Sequence, residues 1–92
     1  MEILHDLEKS EFRLVQDPRA ILSYHREGSV LDFSHVYVPM ALRGKGIADL
    51  LATHAFEYAL QKGFQVTPSC PFISGSFLRR FPQYQKTLSH SA

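Results

Sequence analysis

The segment "HVYVPMALRGKGIADLL", residues 35–51, is the most informative part of this chain. Alternating residues before Pro39 predict a strand, which the proline ends because it has no N–H to donate to a ladder. After a glycine-containing loop, apolar residues recur at helical spacing from about Gly46 to Lys62, and Lys62 followed by Gly63 is typical of a helix end. The segment therefore predicts a strand, a loop and a helix in succession.

The loop in this segment has the features of an anion site. The first N–H groups of a helix have no intrahelical partners, and the helix dipole places about half a positive charge at that end. Gly44 and Gly46 lack the Cβ atoms that would keep an anion from the backbone, and Arg43 and Lys45 add positive charge. The loop predicts a phosphate site; the alternative is a flexible turn whose glycines only ease the corner.

Further strands and a second helix are predicted on both sides of this segment. Strands are expected in residues 11–16, in residues 19–27, and, after a turn at "EGS", in residues 30–38. A fourth strand is expected at "FQVT", residues 64–67, and a short helix at "SGSFLRRF", residues 74–81. This order predicts an α/β domain of the α+β type, in which antiparallel strands precede a β-α-β crossover and a short C-terminal helix.

Period-two alternation divides the side chains of the third predicted strand between two faces. One face is predicted to carry Leu31, Phe33, His35 and Tyr37, and the other Val30, Asp32, Ser34, Val36 and Val38. His35 then shares a face with large apolar residues, which favours a histidine of the core.

Composition and charge limit the class of protein. A chain of 92 residues is expected to form a single domain, residues 1–92, and its 45% apolar content is typical of a soluble globular protein. A formal net charge of +1 argues against binding to nucleic acid or to an acidic membrane. Cys70 is the only cysteine, and no Cys or His spacing predicts a metal site. The polar N-terminus and the absence of a long apolar run predict an intracellular, cytoplasmic protein.

Two common nucleotide-binding motifs are absent. The P-loop pattern G-x-x-x-x-G-K-[ST] does not occur, and a dinucleotide fingerprint would need glycine where Asp49 stands. The chain is also too short for a doubly wound dinucleotide fold.

Four motifs, in order along the chain, resemble the GNAT superfamily of acyl-CoA-dependent N-acetyltransferases, and most closely its small single-domain members. They are "HVYVP" at residues 35–39, "RGKGIA" at residues 43–48, "PSC" at residues 68–70 and "RFPQY" at residues 80–84. The resemblance covers about residues 12–86. It implies a GNAT-like mixed sheet, acetyl-CoA as co-substrate without a metal, and an amine as acceptor.

The resemblance also implies where coenzyme A binds. The pantetheine arm would bond to the backbone near Val38 and Met40, and because the two central strands splay apart in this family, the thioester would lie close to Cys70. Two positions depart from the family pattern: Val36 stands where Thr is usual, and Tyr37 where many relatives carry a Glu that acts as base. The pyrophosphate would contact the backbone of Arg43, Gly44, Lys45, Gly46, Ile47 and Ala48.

Three side chains are candidates for the chemistry of acetyl transfer. The thiol of Cys70 could accept the acetyl group, although lone cysteines are mostly inert and buried. His35 could take a proton from the amine, if it is not a core residue. Tyr84 could donate a proton to the departing thiolate, or could only cover the core. Arg79 and Arg80 could attract the adenosine 3′-phosphate or an acidic acceptor, or could be solvated cations.

The predicted function is therefore transfer of an acetyl group from acetyl-CoA to an amine. The alternative belongs to a different class: a domain that binds acyl-CoA without turnover, or an interaction module on a GNAT scaffold. Tyr37 in place of Glu and the few residues before Phe12 favour this alternative. Turnover of acetyl-CoA distinguishes the two.

Overall fold

A computed structural model of the chain describes residues 1–89, in which five strands form one sheet. The strands are β1 (Ile3–Asp6), β2 (Glu11–Leu14), β3 (Ile21–Glu27), β4 (Val30–Tyr37) and β5 (Gln65–Thr67). They lie side by side in chain order. The first four strands pair antiparallel with their sequence neighbours, and β5 pairs parallel with β4.

The connection between β4 and β5 is a crossover. After β4 the chain forms a 3-10 turn, Met40–Leu42, and then helix α1, Ile47–Lys62. The helix returns the chain so that β5 runs parallel to β4, with Leu31 opposite Val66. This pairing confirms the predicted β-α-β crossover and the mixed α/β fold.

Helix α1 packs across one face of the sheet. The alternation of small and large residues on its inner side lets the helix approach the strands closely while its larger side chains fill the core. Its buried residues are Ile47, Leu51, Ala52, Ala55, Phe56 and Ala59.

The C-terminal part of the chain covers the same side of the sheet as α1. Residues 71–80 are helical, so the helical segment overlaps the predicted helix of residues 74–81 but begins three residues earlier and ends one residue earlier. Phe56 of α1 stacks on Phe77 and Tyr84, with ring centroids 5.6 and 5.1 Å apart. No helix in residues 1–89 is long and apolar enough to span a membrane. The elements after β5 are Ile73–Phe77 (π-helix), Leu78–Arg80 (α-helix) and Pro82–Thr87 (3-10 helix).

Strand β1 is not predicted from the sequence. It is only four residues long and lies at the edge of the sheet, where Leu4 remains 45% exposed, so it carries little apolar signal. Its inward residue is His5, whose ring stacks on Phe12 with 4.0 Å between centroids and whose Nε2 lies 2.6 Å from the Tyr24 hydroxyl. The half-buried histidine packed on the core is therefore His5.

A β-bulge in β4 changes which side chains face the core. The register between β3 and β4 shifts, so that Ser23 pairs with His35 but Tyr24 pairs with Phe33. Phe33 is fully buried, whereas His35 and Tyr37 lie exposed on the open face of the sheet. An extra residue in one strand reverses the alternation beyond it, and the sequence pattern does not reveal it. The prediction that His35 shares a face with Phe33 is wrong, and so is the core interpretation of His35.

Candidate functional site

The sheet opens between β4 and β5 because β5 is the shorter strand. Their pairing ends at Asp32 and Thr67. One further bond joins the two chain segments, from the N–H of Cys70 to the carbonyl of Phe33 at 2.9 Å. Beyond Phe33, β4 continues to Tyr37, and no strand in residues 1–89 pairs with this side of it. β4 therefore has a free edge beside the end of β5.

The free edge presents backbone groups that the sheet does not use. Alternate residues of β3 bond toward β2, as the N–H of Tyr24 does to the carbonyl of Ser10 at 3.0 Å. The backbone N–H and C=O of Ser23 therefore point toward β4, where Ser23 pairs with His35. Because N–H and C=O groups alternate sides along a strand, those of Val36 point away from β3, to the free edge. An extended ligand can bond there as a short strand would.

The loop after β4 leaves the N-terminus of α1 uncapped. Gly44 and Gly46 have left-handed φ values of 80° and 77°, which glycine adopts without strain. Gly46 occupies the N-cap position, so no side chain caps the helix. The first N–H of α1 that finds an acceptor in residues 1–89 is that of Leu50, which bonds to the Gly46 carbonyl at 3.0 Å. The N–H groups of residues 47–49 are available to an anion.

Two adjoining depressions, of about 190 and 250 Å³, run from this loop along the free edge. They share Val38, Arg43, Ala48 and Phe72 and form one concave surface, here called the loop–strand groove. Its β4 part is also lined by Val36 and Tyr37. Its loop part is also lined by Leu42, Gly44, Gly46, Ile47, Asp49 and Arg80.

The charge at the loop end of the groove is positive. The Nε–H of Arg43 donates a hydrogen bond to the carbonyl of Val38 at 3.0 Å, so the guanidinium lies across the end of the strand. Lys45, two residues further along the loop, is exposed. Arg80 forms a bidentate ion pair with Asp49, with N–O distances of 2.6 and 2.8 Å. The hydrogen bonds to Asp49 raise the pKa of Arg80. Among the described residues that line this end of the groove, one carboxylate, Asp49, thus stands with two cations, Arg43 and Arg80.

Cys70 lies where β4 and β5 part, but below the surface. Its side chain is among the buried core residues, with 6% of the residue exposed. Its carbonyl accepts the N–H groups of Ile73 and Ser74 at 3.0 Å, which begins the helical segment of residues 71–80. The groove wall next to it is formed by Phe72 instead. Cys70 is near the predicted thioester position, and its role there stays a prediction.

The other two catalytic candidates lie on opposite sides of the sheet. His35 is exposed on the open face, one residue from Val36 of the free edge. Tyr84 is 5% exposed on the helical side, and its hydroxyl donates to Glu57 Oε2 at 2.7 Å. Burial and the carboxylate of Glu57 raise the pKa of Tyr84 to about 12. The structure thus does not bring His35 and Tyr84 together. Among residues 1–89, no group of three or more His, Cys, Asp or Glu is placed to hold a metal ion.

Sequence reasoning missed two features of the groove. Phe72 had no recognisable signal beyond its place after the "PSCP" turn. The pair of Asp49 and Arg80 joins residues 31 positions apart, and no local pattern predicts such a contact.

Of the predicted binding residues, Lys45 and Met40 do not line the groove, and Met40 is 78% exposed. Those that do are Val38, Arg43, Gly44, Gly46, Ile47 and Ala48.

The chain is similar to known proteins in sequence and in fold. Residues 11–87 match the profile of the family described as GCN5-related N-acetyl-transferase. Protein NATD1 of Bos taurus is 30% identical, over 96% of this chain and 82% of its own length, and Protein NATD1 of Mus musculus is 29% identical, over 96% and 84%. The NMR structure of a GCN5-like protein from Staphylococcus aureus has a TM-score of 0.74 at 20% identity, covering 99% of this chain and 90% of that chain, and shows the same fold. The chain belongs to the GCN5-related N-acetyltransferase family.

Proposed function

We propose that the protein transfers an acetyl group from acetyl-CoA to an amine. The observation that carries this proposal is the uncapped N-terminus of α1 at one end of a groove whose other end is the free edge of β4. An anion site beside an unpaired strand edge suits a ligand with phosphates at one end and an amide-containing chain at the other. Coenzyme A has this form, and membership of the family supports the assignment.

The loop and the strand edge have separate tasks in this proposal. The N–H groups of residues 47–49 donate to the diphosphate, and Arg43 and Lys45 supply positive charge. The backbone groups of Val36 and Val38 bond to the amides of the pantetheine arm. Arg43 must first release the Val38 carbonyl, which it holds at 3.0 Å through an exposed hydrogen bond.

The chemistry takes place where β4 and β5 part. The N–H of Val36 is directed to this edge and can polarise the thioester carbonyl as a neutral amine attacks its carbon. A new C–N bond forms, the C–S bond breaks, and the amine proton finally reaches the thiolate, which leaves as coenzyme A. His35 faces the open side of the sheet, from which the acceptor can approach, and takes this proton in transit. Cys70 supplies part of the buried wall beneath.

A domain that binds acyl-CoA without turnover is the second candidate, and one observation favours it. Among the described residues that line the groove, Asp49 is the only carboxylate, no histidine is present, and Asp49 is paired with Arg80. Tyr37 also stands where many relatives carry a Glu that acts as the general base. The groove itself therefore offers no free base, and any base must come from its margin, as His35 does.

Release of the free thiol of coenzyme A from acetyl-CoA, with a panel of amines and peptides, tests the proposal. Acetylated product is expected by mass spectrometry, and His35→Gln should lower kcat at least about tenfold without changing the KM for acetyl-CoA. His25→Gln is the matched control, since His25 is also exposed on the open face but lies on β3. Coenzyme A binding without any turnover would favour the second candidate, and the absence of binding would contradict both.

A further inference from the structure

The ion pair between Asp49 and Arg80 holds the only carboxylate among the described residues that line the groove. Asp49 is the third residue of α1, a position from which a carboxylate can reach back to the free N–H groups of its own helix. In this structure no side chain caps the helix. Both carboxylate oxygens instead accept hydrogen bonds from Arg80, at 2.6 and 2.8 Å. The pair therefore holds the carboxylate away from the N–H groups beside it.

Arg80 is itself kept in place by its neighbours. Its Nη2 lies 3.2 Å from the hydroxyl of Ser76, and its guanidinium carbon lies 5.6 Å from the centroid of the Phe81 ring. These contacts leave the guanidinium in the groove lining, where it pairs with Asp49. The C-terminal helical segment is thus joined to the phosphate loop at the groove.

Without Arg80, Asp49 would oppose a phosphate ligand in two ways. Its negative charge would stand within the first turn of α1, close enough to repel a diphosphate. Its side chain would also be free to bond to the N–H of the N-cap residue, Gly46, and so place the carboxylate at the edge of the anion site. Each effect acts on phosphate binding and leaves the β4 edge unchanged.

We infer that Arg80 is a positioning residue, which pairs with Asp49 so that the N-terminus of α1 stays open to the phosphates of coenzyme A. This inference rests on the proposed function. It assigns to Arg80 an effect that passes through Asp49 and does not require contact between Arg80 and the ligand.

The test compares affinities for coenzyme A, by calorimetry, and for pantetheine, by NMR titration. Arg80→Gln is expected to weaken coenzyme A binding about tenfold, because it leaves one unpaired charge beside the diphosphate. Pantetheine affinity should not change. Arg79→Gln is the matched control: it removes the same charge one residue away, and Arg79 is a solvated cation that does not line the groove and whose side chain makes no hydrogen bond or ion pair within residues 1–89. It should bind coenzyme A as the unaltered protein does.

The double variant Asp49→Asn with Arg80→Gln separates positioning from direct contact. With the carboxylate removed, coenzyme A affinity is expected to return to within about threefold of the unaltered protein. A double variant as weak as Arg80→Gln alone, or an Arg80→Gln variant that binds as tightly as Arg79→Gln, would overturn the inference and leave the proposed function standing. No coenzyme A binding by the unaltered protein would overturn both.

Discussion

The two ends of α1 carry the same residue in the same backbone conformation, yet only one of them is closed. Gly46 and Gly63 have φ values of 77° and 72°. At the C-terminal end, the N–H of Gly63 bonds to the carbonyls of Ala59 and Leu60, and the N–H of Phe64 bonds to that of Ala59 at 2.9 Å. These bonds use the last carbonyls of the helix, as in a Schellman motif.

The N-terminal end has no corresponding closure. No side chain caps it, and Leu50 is the first residue of α1 whose N–H finds an acceptor in residues 1–89. A capping side chain of Ser, Thr, Asn or Asp at the position of Gly46 would compete for the N–H groups at the start of the helix, and it would also be strained at the positive φ of Gly46. The two glycines thus differ in the backbone hydrogen bonds around them. The end with unused N–H groups, at Gly46, is the one beside the groove.

Removing the phosphates and the adenosine from the ligand is expected to have the largest effect on affinity. If the open end binds the diphosphate, pantetheine should bind at least about a hundredfold more weakly than coenzyme A, about 2.7 kcal/mol, since several charge-assisted hydrogen bonds are lost. Calorimetry on the two ligands measures the difference. Equal affinities would mean that the N-terminus of α1 does not contribute to binding of the phosphates.

Replacing each glycine by alanine compares the two ends directly. Gly46→Ala and Gly63→Ala both place a Cβ at positive φ, so each should lower the free energy of unfolding by about 1–2 kcal/mol in urea denaturation. Neither Cβ would meet a protein atom within 4 Å in the described residues. Only Gly46→Ala sets a methyl group over the phosphate site, and it should lose about tenfold in coenzyme A affinity. Similar coenzyme A affinities in the two variants would mean that the N-terminus of α1 is not the phosphate site.

Tyr84 tests whether the far side of α1 takes part in the reaction. Its folded-state pKa of about 12 lies above the value of about 10 for an unfolded tyrosine, so the protonated form is bound more tightly in the folded state. The stability that this proton binding provides is complete below about pH 10 and is lost as the pH rises through about 12. Unfolding of the unaltered protein should therefore become about 1 kcal/mol easier by about pH 11, relative to Tyr84→Phe.

The same variant has an expected result for activity. A phenol with so high a pKa is a weak proton donor, so Tyr84→Phe should keep its rate of acetyl transfer near neutral pH. A large loss of kcat would place Tyr84 in the reaction and extend the site beyond the open end of α1.

Cys70 is expected to show the smallest effect. As a buried wall residue it needs only its volume, so Cys70→Ala and Cys70→Ser should keep turnover within about twofold and lose about 1 kcal/mol of stability. Intact-protein mass after incubation with acetyl-CoA should show no acetyl adduct. An adduct that disappears on addition of an amine, together with two inactive variants, would instead establish a covalent route through the thiol.

The sequence predicted those parts of the fold that depend on local patterns. Glycines and cations ahead of an apolar stripe predict the loop and α1, and the helix begins at Ile47 after Gly46 and ends at Lys62 before Gly63. Strand–helix–strand order then leads to the parallel pairing of β5 with β4, because such crossovers follow general rules of chain connection.

The features that escaped prediction depend on partners far along the chain. β1 is defined by its pairing with β2, and the bulge that exposes His35 is defined by the register of β3 against β4. Tyr84 binds Glu57, and Arg80 binds Asp49, through side chains 27 and 31 residues apart. A strand pattern or a charge in a sequence does not specify these contacts, so the glycine-containing loop before α1 was foreseeable and the positions of the catalytic candidates were not.

An NMR titration of the amide-labelled protein with coenzyme A observes both ends of α1 in one experiment. If the open end binds the phosphates, we expect large shifts for the backbone amides of residues 44–49, absent with pantetheine, and only small shifts for Gly63 and Phe64 at the closed end. Phosphate-dependent shifts at Gly63 and Phe64 that equal those of residues 44–49, or shifts confined to the open face of the sheet, would contradict phosphate binding at the open end.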